Sequence, residues 1–387
     1  DGVITDTNSA WLCDSVRKIG GEVSASQTVR DDLDQLTATI REVCARADVV
    51  ICTGGLGPTP DDLTVDAIAA ATERSLAHDE AVWNDILERF GSRVPSLNNR
   101  RQARIPEGAI ALRSSVGTAP GIRLEFGGCT IFALPGVSRE MKWHFAEYIE
   151  GFIQDALPKA THVRTLMFAG IGESSLAHRV RDVSLPEGVD VLYRTHLPEN
   201  HIRLRAADES ALSVVAEEII KLAPDAYLGD EATSLQESTL SVCRNKGLTL
   251  GTAESCTGGL VGATLTQVSG ASAVYVGSIV SYSNQVKANL LNVDPSTIEQ
   301  HGAVSEETAR AMASGAQSAL GCDIAVSITG IAGPNGGSPD KPVGTVWLAW
   351  IGPGLDEAKC RHFRGDRDRV RTLAMGYALD RIRRHYG

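Results

Sequence analysis

The sequence has no apolar run near the ~18 residues that a membrane span needs, and no signal peptide is visible. Membrane-spanning and secreted classes are set aside, and a cytoplasmic protein is expected. None of the eight cysteines forms a C-x-x-C pair, and no Cys/His cluster has zinc-finger spacing. Scattered thiols of this kind read as reduced. A basic excess is missing too: 37 Lys and Arg face 48 Asp and Glu, for a net charge of −11. General nucleic-acid binding needs clustered cations, so it is not expected. A small phosphorylated ligand, held by a few local donors, stays open. The sequence has no fixed-period repeat and no low-complexity tract. The opening, "DGVITDTNSAWL", has no Met and no leading strand. An α/β unit usually begins on a strand, so a first strand is expected to be missing.

What is present is enough for two or three domains: 387 residues, 43% hydrophobic. Residues 8–18, "NSAWLCDSVRK", predict a helix opened by Asn8 or Ser9. "GGEVSASQTV" reads as a turn and strand, "DDLDQLTATIREVCARA" as a helix, "DVVICT" as a buried strand and "LTVDAIAAATERS" as a helix. This alternation predicts a parallel sheet covered on both faces. "GCTIFALPG" adds a strand. Residues 158–233 carry three strand-like stretches, "HVRTLMFAG", "VDVLYRTH" and "HIRLRAA", and two helical ones, which predicts a small α+β unit. From residue 234 come a helix, the strand "LTLGTAES", two apolar strands, "CDIAVSITG" and "VGTVWLAWIG", and a long basic helix. The expected fold class is α/β in three domains: 1–157, 158–233 and 234–387.

Two stretches carry candidate chemistry. "TGGLGPTPDD", residues 53–62, directly follows a buried strand, where ligands of open α/β sheets bind. Gly54, Gly55 and Gly57 let backbone N–H groups approach an anion. A helix expected from near Asp62 adds its positive end. Asp61 and Asp62 offer oxygen ligands to a hard divalent cation. A tight turn with Asp62 as helix cap is the other reading. Nearby, "NNRRQARIPEGA" supplies Asn98, Asn99, Arg100, Arg101 and Gln102, with Arg100 suited to a phosphate or to a solvated face.

The second stretch is "ESCTGG", residues 254–259, between a strand and the helix-like "LVGATLTQVSG". A nucleophile there is exposed, and the N–H groups opening the helix can stabilise an oxyanion. Ser255 and Cys256 both qualify, and a turn with Ser255 as cap explains the residues equally. A serine needs a base. The three histidines beyond residue 234, His301, His362 and His385, sit in no motif that suggests a Ser-His-Asp set. "SYSNQVKANLL" offers Tyr282 and Lys287 instead. A partly buried Lys with a depressed pKa serves as a general base. "SITGIAGPNGG" adds Thr329 and a glycine-rich loop, and "FRGDRDRVR" adds Arg364, Arg367, Arg369 and Arg371 near a helix start.

Together these motifs resemble a family. "TGGLGPTPDDLTVDAIA", "NNRRQA", "PEGA", "GTAPG" and "LPGVSREM" are similar to the N-terminal domain of the CinA (competence/damage-inducible protein A) family. That domain resembles the MoaB/MogA molybdopterin-binding fold, a three-layer α/β domain. "AESCTGG", "YSNQVK", "HGAVSEETA", "SITGIAGP" and "FRGDR" resemble its C-terminal α/β domain, similar to PncC-type amidases. The middle unit, with "GIGES", looks like the small KH-like α+β domain between them. Its "GIGE" departs from a G-x-x-G clamp, and RNA binding is not expected of it.

The resemblance implies a bifunctional enzyme of pyridine-nucleotide salvage. The C-terminal domain would deamidate nicotinamide mononucleotide (NMN) to nicotinate mononucleotide and ammonia, without a cofactor. The N-terminal domain would hydrolyse ADP-ribose to AMP and ribose 5-phosphate with a divalent metal such as Mg2+. The family's nucleophile falls on Ser255, and its catalytic Tyr and Lys fall on Tyr282 and Lys287. Glu254, Cys256, Thr257, Gly258, Gly259, Asn284, Thr329, Gly330 and Arg369 are expected to line the nucleotide pocket, with Arg369 near the phosphate. In the N-terminal domain the resemblance puts Gly54, Gly55, Gly57, Asn98 and Arg100 at the ligand, and Asp61 and Asp62 at the metal. The family's leading strand and "GDE"-type acidic turn would precede this opening. A homodimer is expected. The rival readings are a non-enzymatic competence or recombination adaptor, and a molybdopterin-binding N-terminal domain.

Overall fold

The computed structural model describes residues 5–91, 94–157, 162–231 and 233–387. The expected opening at residues 1–4 and the expected boundary at 157/158 lie outside the described residues. The chain forms two compact units, Asp1–Thr161 and His162–Gly387.

The first unit is built on a four-stranded sheet. Its strands are β1 (Val49–Thr53), β4 (Ile110–Leu112), β5 (Gly121–Phe126) and β6 (Cys129–Leu134), in the order β1-β6-β5-β4. β2 (Leu76–His78) and β3 (Arg104–Pro106) pair apart from it. The helices are α1 (Thr7–Lys18), α2 (Leu33–Cys44), α3 (Thr64–Thr72), α4 (Glu80–Phe90), α5 (Ser138–His144) and α6 (Glu150–Ala156). Every residue of β6 is buried, and its alternation sorts them. Ile131 and Ala133 join the core of α2 and α3, while Phe132 and Leu134 join Leu12 of α1, Met141 of α5 and Ile153 of α6. The result is three layers.

Three expectations change here. The sheet is mixed: β1 runs parallel to β6, but β5 and β4 are antiparallel. "GGEVSASQTV" forms no strand; its residues are mostly exposed and offer no apolar face to a ladder. Helix α1 is capped by Asp6, whose carboxylate accepts from the Ser9 N–H at 2.9 Å, rather than by Asn8 or Ser9.

The second unit holds two sheets. β7 (His162–Ala169), β8 (Asp190–His196), β9 (Glu199–Ala206) and β10 (Tyr227–Asp230) form one, antiparallel throughout, in the order β10-β7-β9-β8. Helices α7 (Glu173–Val180) and α8 (Glu209–Leu222) cover it with Leu176, Val180, Leu212 and Val215. The other sheet comprises β11 (Leu250–Glu254), β12 (Tyr275–Val280), β13 (Ile324–Gly330), β14 (Thr345–Gly352) and β15 (Leu355–His362), in the order β12-β11-β13-β14-β15. The first three are parallel and the last two antiparallel.

Six helices flank this sheet: α9 (Leu235–Lys246), α10 (Leu260–Leu265), α11 (Asn284–Leu291), α12 (Pro295–His301), α13 (Glu306–Leu320) and α14 (Arg367–Tyr386). Ile328, Leu348 and Trp350 meet Ala374 and Ala378 of α14 on one face. Ala253 and Ala325 meet Leu291 of α11 and Met312 of α13 on the other. Among the described residues no helix is long and apolar enough to cross a membrane.

Candidate active site

Register decides what meets at the edge of the second sheet. Glu254 pairs with Val280 on one side and Ile328 on the other. Ser255 therefore lies one step on, level with Ser281 and Thr329. The Ser255 N–H donates to Ile328 O at 2.9 Å and the Ser281 N–H to Glu254 O at 2.8 Å, which carries the ladder across. The site thus sits beyond the carboxyl ends of three parallel strands, where loops are free to diverge.

Residues 256–259 turn the chain into α10. Gly258 has φ +62° and Gly259 φ +92°, a region where a side chain is strained. The Gly258 N–H is held by Ser255 O at 3.1 Å and the Gly259 N–H by Glu254 Oε2 at 3.0 Å. Among the described residues, no acceptor holds the N–H groups of Cys256 and Thr257. Those two amides are the turn's free donors.

Glu254, expected in the pocket, lies beneath it. Its side chain is fully buried, and it accepts from the N–H groups of Gly259, Val261 and Gly262 and from the Ser278 hydroxyl, at 2.9–3.1 Å. It braces the start of α10. Adjacent strand residues face opposite ways, so Glu254 and Ser255 cannot share a face.

Lys287, on α11, is 1% exposed. Its Nζ lies 3.0 Å from Ser255 Oγ, 2.8 Å from Ser281 O and 3.4 Å from Tyr282 O. Among the described residues no carboxylate pairs with it. Burial holds its pKa below the usual lysine value. When the amine is neutral, its two N–H bonds serve the two carbonyls and its lone pair is left for the Ser255 hydroxyl; when it is charged, a third N–H reaches Ser255 Oγ. Cys256 is buried as well, and burial pushes its thiol up to about 12, far from a reactive thiolate.

Tyr282 takes a different place from its partners. Its residue is 60% exposed, and its hydroxyl accepts from Arg367 Nη2 at 2.8 Å. Its carbonyl, not its hydroxyl, reaches Lys287. Arg367 also donates to Gly333 O at 2.7 Å, tying three segments around the opening. Arg371 donates to Thr257 O at 2.9 Å and braces the turn. The sequence marked both arginines only as part of a basic helix start. Arg369 is exposed on the same first turn, its N–H held by Asp366 at 2.8 Å. Thr329 is buried, its hydroxyl donating to Ala303 O at 2.6 Å. Gly330 answers a packing need: a Cβ there would lie 2.7 Å from Val346 Cγ2. Asn284 opens α11 and is exposed.

In the first unit the "TGGLGPTPDD" loop follows β1 and meets the loop after β6. The Gly54 N–H donates to Leu134 O at 2.9 Å. Gly55, at φ +68°, has Thr64 Oγ1 where a Cβ would stand, 2.3 Å away. A pocket beside the loop is lined by Gly55, Gly57, Asp62, Asp66, Arg101 and Arg104, among others.

Arg100 and Asn98 lie away from the pocket lining, and Asp62 is held within its own loop. Arg100 pairs with Glu80 at 3.8 Å and stacks on Trp83, away from the pocket, while Arg101 and Arg104 face Asp66 at 3.0 and 3.7 Å. Residues 97–103 form a 3-10 helix, on which Arg100 and its neighbour Arg101 turn to different sides, and Arg104 opens β3 just beyond it. Asn98 is exposed and outside the pocket lining. Asp62 neither caps a helix nor stands free: it accepts from the Thr59 N–H at 2.8 Å and the Thr59 hydroxyl at 2.6 Å, and α3 begins at Thr64.

Among the described residues no group of three or more His, Cys, Asp or Glu gathers at metal-binding distance. Asp62 lines the pocket, and Asp61 stands exposed beside it in the chain.

A family model for the CinA C-terminal domain matches residues 232–386, and one for a probable molybdopterin binding domain matches residues 1–155. A CinA-like protein of Citrifermentans bemidjiense is 40% identical over 393 residues, covering 99% of this chain and 94% of that protein. A CinA-like protein of Geobacter sp. is 40% identical over 388 residues, covering 98% and 93%. The crystal structure of a competence-damaged protein (CinA) superfamily protein from Klebsiella pneumoniae is 37% identical, with a TM-score of 0.38, covering 40% of this chain and 98% of that one.

Proposed function

The chain belongs to the CinA family, and from that premise we propose that its C-terminal part is an amidase that converts NMN to nicotinate mononucleotide and ammonia. The observation that carries the reading is the 3.0 Å approach of a buried, carboxylate-free Lys287 amine to Ser255 Oγ. Neutral Lys287 takes the Ser255 proton as Oγ attacks the carboxamide carbon. The oxyanion meets the free N–H groups of Cys256 and Thr257. The Lys287 ammonium hands its proton to the amide nitrogen, the C–N bond breaks, and ammonia leaves. Water then adds to the acyl carbon and gives a proton to Lys287. The ester bond breaks, and Ser255 regains its proton.

Ammonia release from NMN by the purified chain tests this. Ser255→Ala and Lys287→Ala are expected to lower kcat by roughly a thousandfold or more, and Cys256→Ser to keep most of it. A folded wild type that releases no ammonia overturns the reading. Tyr282→Phe, which loses the Arg367 bond but keeps the carbonyl on Lys287, is expected to raise KM more than it lowers kcat.

For the first unit we propose hydrolysis of ADP-ribose to AMP and ribose 5-phosphate. Asp61 and Asp62 would hold a divalent ion, which supplies charge neutralisation at the diphosphate when bound. The glycine-lined loop with Arg101 and Arg104 supports an anionic ligand there. Excess chelator is expected to abolish ADP-ribose turnover and to leave NMN deamidation intact. The description of the matching N-terminal family model favours molybdopterin as a second reading. Whichever of the two ligands raises the unfolding temperature of this unit decides between them.

A further inference from the structure

Two hydroxyls beside the nucleophile are buried and, among the described residues, have no hydrogen-bond partner: Thr257 Oγ1 and Ser281 Oγ. Buried polar groups are rarely left unpaired, and each such case calls for an explanation. Strand register fixes where Ser281 points. Paired residues of a parallel ladder face the same way, so Ser281, Ser255 and Thr329 form one row across three strands. That row faces α11 and α13, because Ala253 and Ala325, two and four residues before it, pack on those helices, and Ser327 Oγ donates to Ala309 O of α13. Lys287 enters from α11 on that face. Neighbouring strands lie about 4.8 Å apart, so Ser281 stands one strand from Ser255 on the face that Lys287 enters. Its own carbonyl already accepts from Nζ at 2.8 Å.

We propose that Ser281 is a positioning residue whose hydroxyl accepts the third N–H of Lys287 when that amine is protonated. This deepens the amidase reading and rests on it for its catalytic consequence. When the amine is neutral it has two N–H bonds, and two carbonyls take them. The ammonium has three. Once Oγ of Ser255 is bonded to the acyl carbon it is a poor acceptor, and Tyr282 O at 3.4 Å is a long one. Ser281 Oγ, unpaired at rest and paired in the charged state, then favours the intermediate over the ground state, which is the condition for lowering a barrier.

Few other charges bear on Lys287. The Cys256 thiol of the turn faces it and is kept neutral by burial. Arg367 of α14 acts on Cys256, and Glu254 is caged on the opposite face. β13 presents Ser327 and Thr329, which do not titrate, and α13 presents Met312 and Ala316 to Leu291 of α11.

The test is the titration of Lys287 followed by NMR on lysine-labelled full-length protein carrying Ser255→Ala, which removes the competing Oγ at 3.0 Å as acylation does, with its signal assigned through Lys287→Ala. Ser281→Ala is expected to lower the Lys287 pKa by about one unit, because the ammonium loses an acceptor and the amine does not. Ser281→Thr, which keeps the hydroxyl, is expected to restore it. With NMN, Ser281→Ala is expected to lower kcat roughly tenfold at unchanged KM, with the acid limb of the pH profile moved to lower pH. An unmoved Lys287 pKa in folded Ser281→Ala overturns the proposal. The titration needs no substrate, so it decides on Ser281 even where a wild type inert towards NMN has overturned the amidase reading.

Discussion

Lys287 is an amine buried without a counter-charge, and folding alone gives no reason to keep it. Its pKa is lowered by burial from 10.5. Between its folded value and 10.5 the unfolded chain holds a proton that the folded chain does not. Stability therefore rises with pH through that window, and below it the residue costs stability. Lys287→Met, similar in length and apolar, is predicted to raise the unfolding temperature at pH 7 by a few degrees while abolishing amidase activity. The gain should shrink as the pH approaches 10.5. Thermal unfolding of both forms at pH 7 and pH 10 checks it, and a variant less stable than wild type at pH 7 would refute it. The residue types were legible here: a serine at a glycine turn and a lysine with no histidine nearby suggest an amine base. The choice between Ser255 and Cys256 was not, because both are small and adjacent. Burial separates them, since it suppresses a thiolate and leaves a hydroxyl unaffected.

At the scale of an element, the strand–turn–helix around residues 250–265 is held from below by one carboxylate. Glu254 carries four donors, three of them backbone N–H groups at the start of α10. Glu254→Gln would put an amide NH2 against donors and remove the charge that suits a helix N-terminus. We predict a loss of roughly 2–4 kcal/mol, read as a lowered denaturant midpoint. The amidase should lose kcat as well, since the free Cys256 and Thr257 amides belong to the same turn. Unchanged stability would mean that the cage is not what holds the turn. The expectation that Glu254 lines the pocket treated the motif as a contiguous patch. Strand alternation contradicts that, because neighbours at 254 and 255 must face opposite layers. The same lesson applies to "NNRRQA", where the neighbours Arg100 and Arg101 turn to different partners, Glu80 and Asp66. The mixed first sheet was hidden for another reason. Strand direction is set by pairing partners far apart in the chain, and β1 finds β6 some eighty residues on.

At the scale of the second unit, α14 links two functions. Its first turn brings Arg367 and Arg371 to the Ser255 opening. Its middle and last turns hold the antiparallel sheet: Gly376 packs so closely on Pro198 that a Cβ would stand 2.2 Å from the ring. Asp380 gathers Arg383 Nη2 at 2.7 Å and Arg384 Nε at 2.6 Å, and Arg384 continues to Ala169 O at 3.0 Å. Arg383 also reaches the Asp225 carbonyl beside β10. Asp380 and Arg383 are both buried, so removing the carboxylate leaves a guanidinium uncompensated. Asp380→Asn is predicted to cost roughly 3–5 kcal/mol. The loss should be uneven. Ala169 ends β7 and Asp225 precedes β10, so amide exchange should quicken most in those two strands. β11 and β13 should stay protected, because their core is made with other residues of α14, Ala374 and Ala378. Ammonia release from NMN should persist at temperatures where the variant stays folded. Equal deprotection of both sheets would show instead that the unit unfolds as one, and that the ion cluster is merely part of its common core.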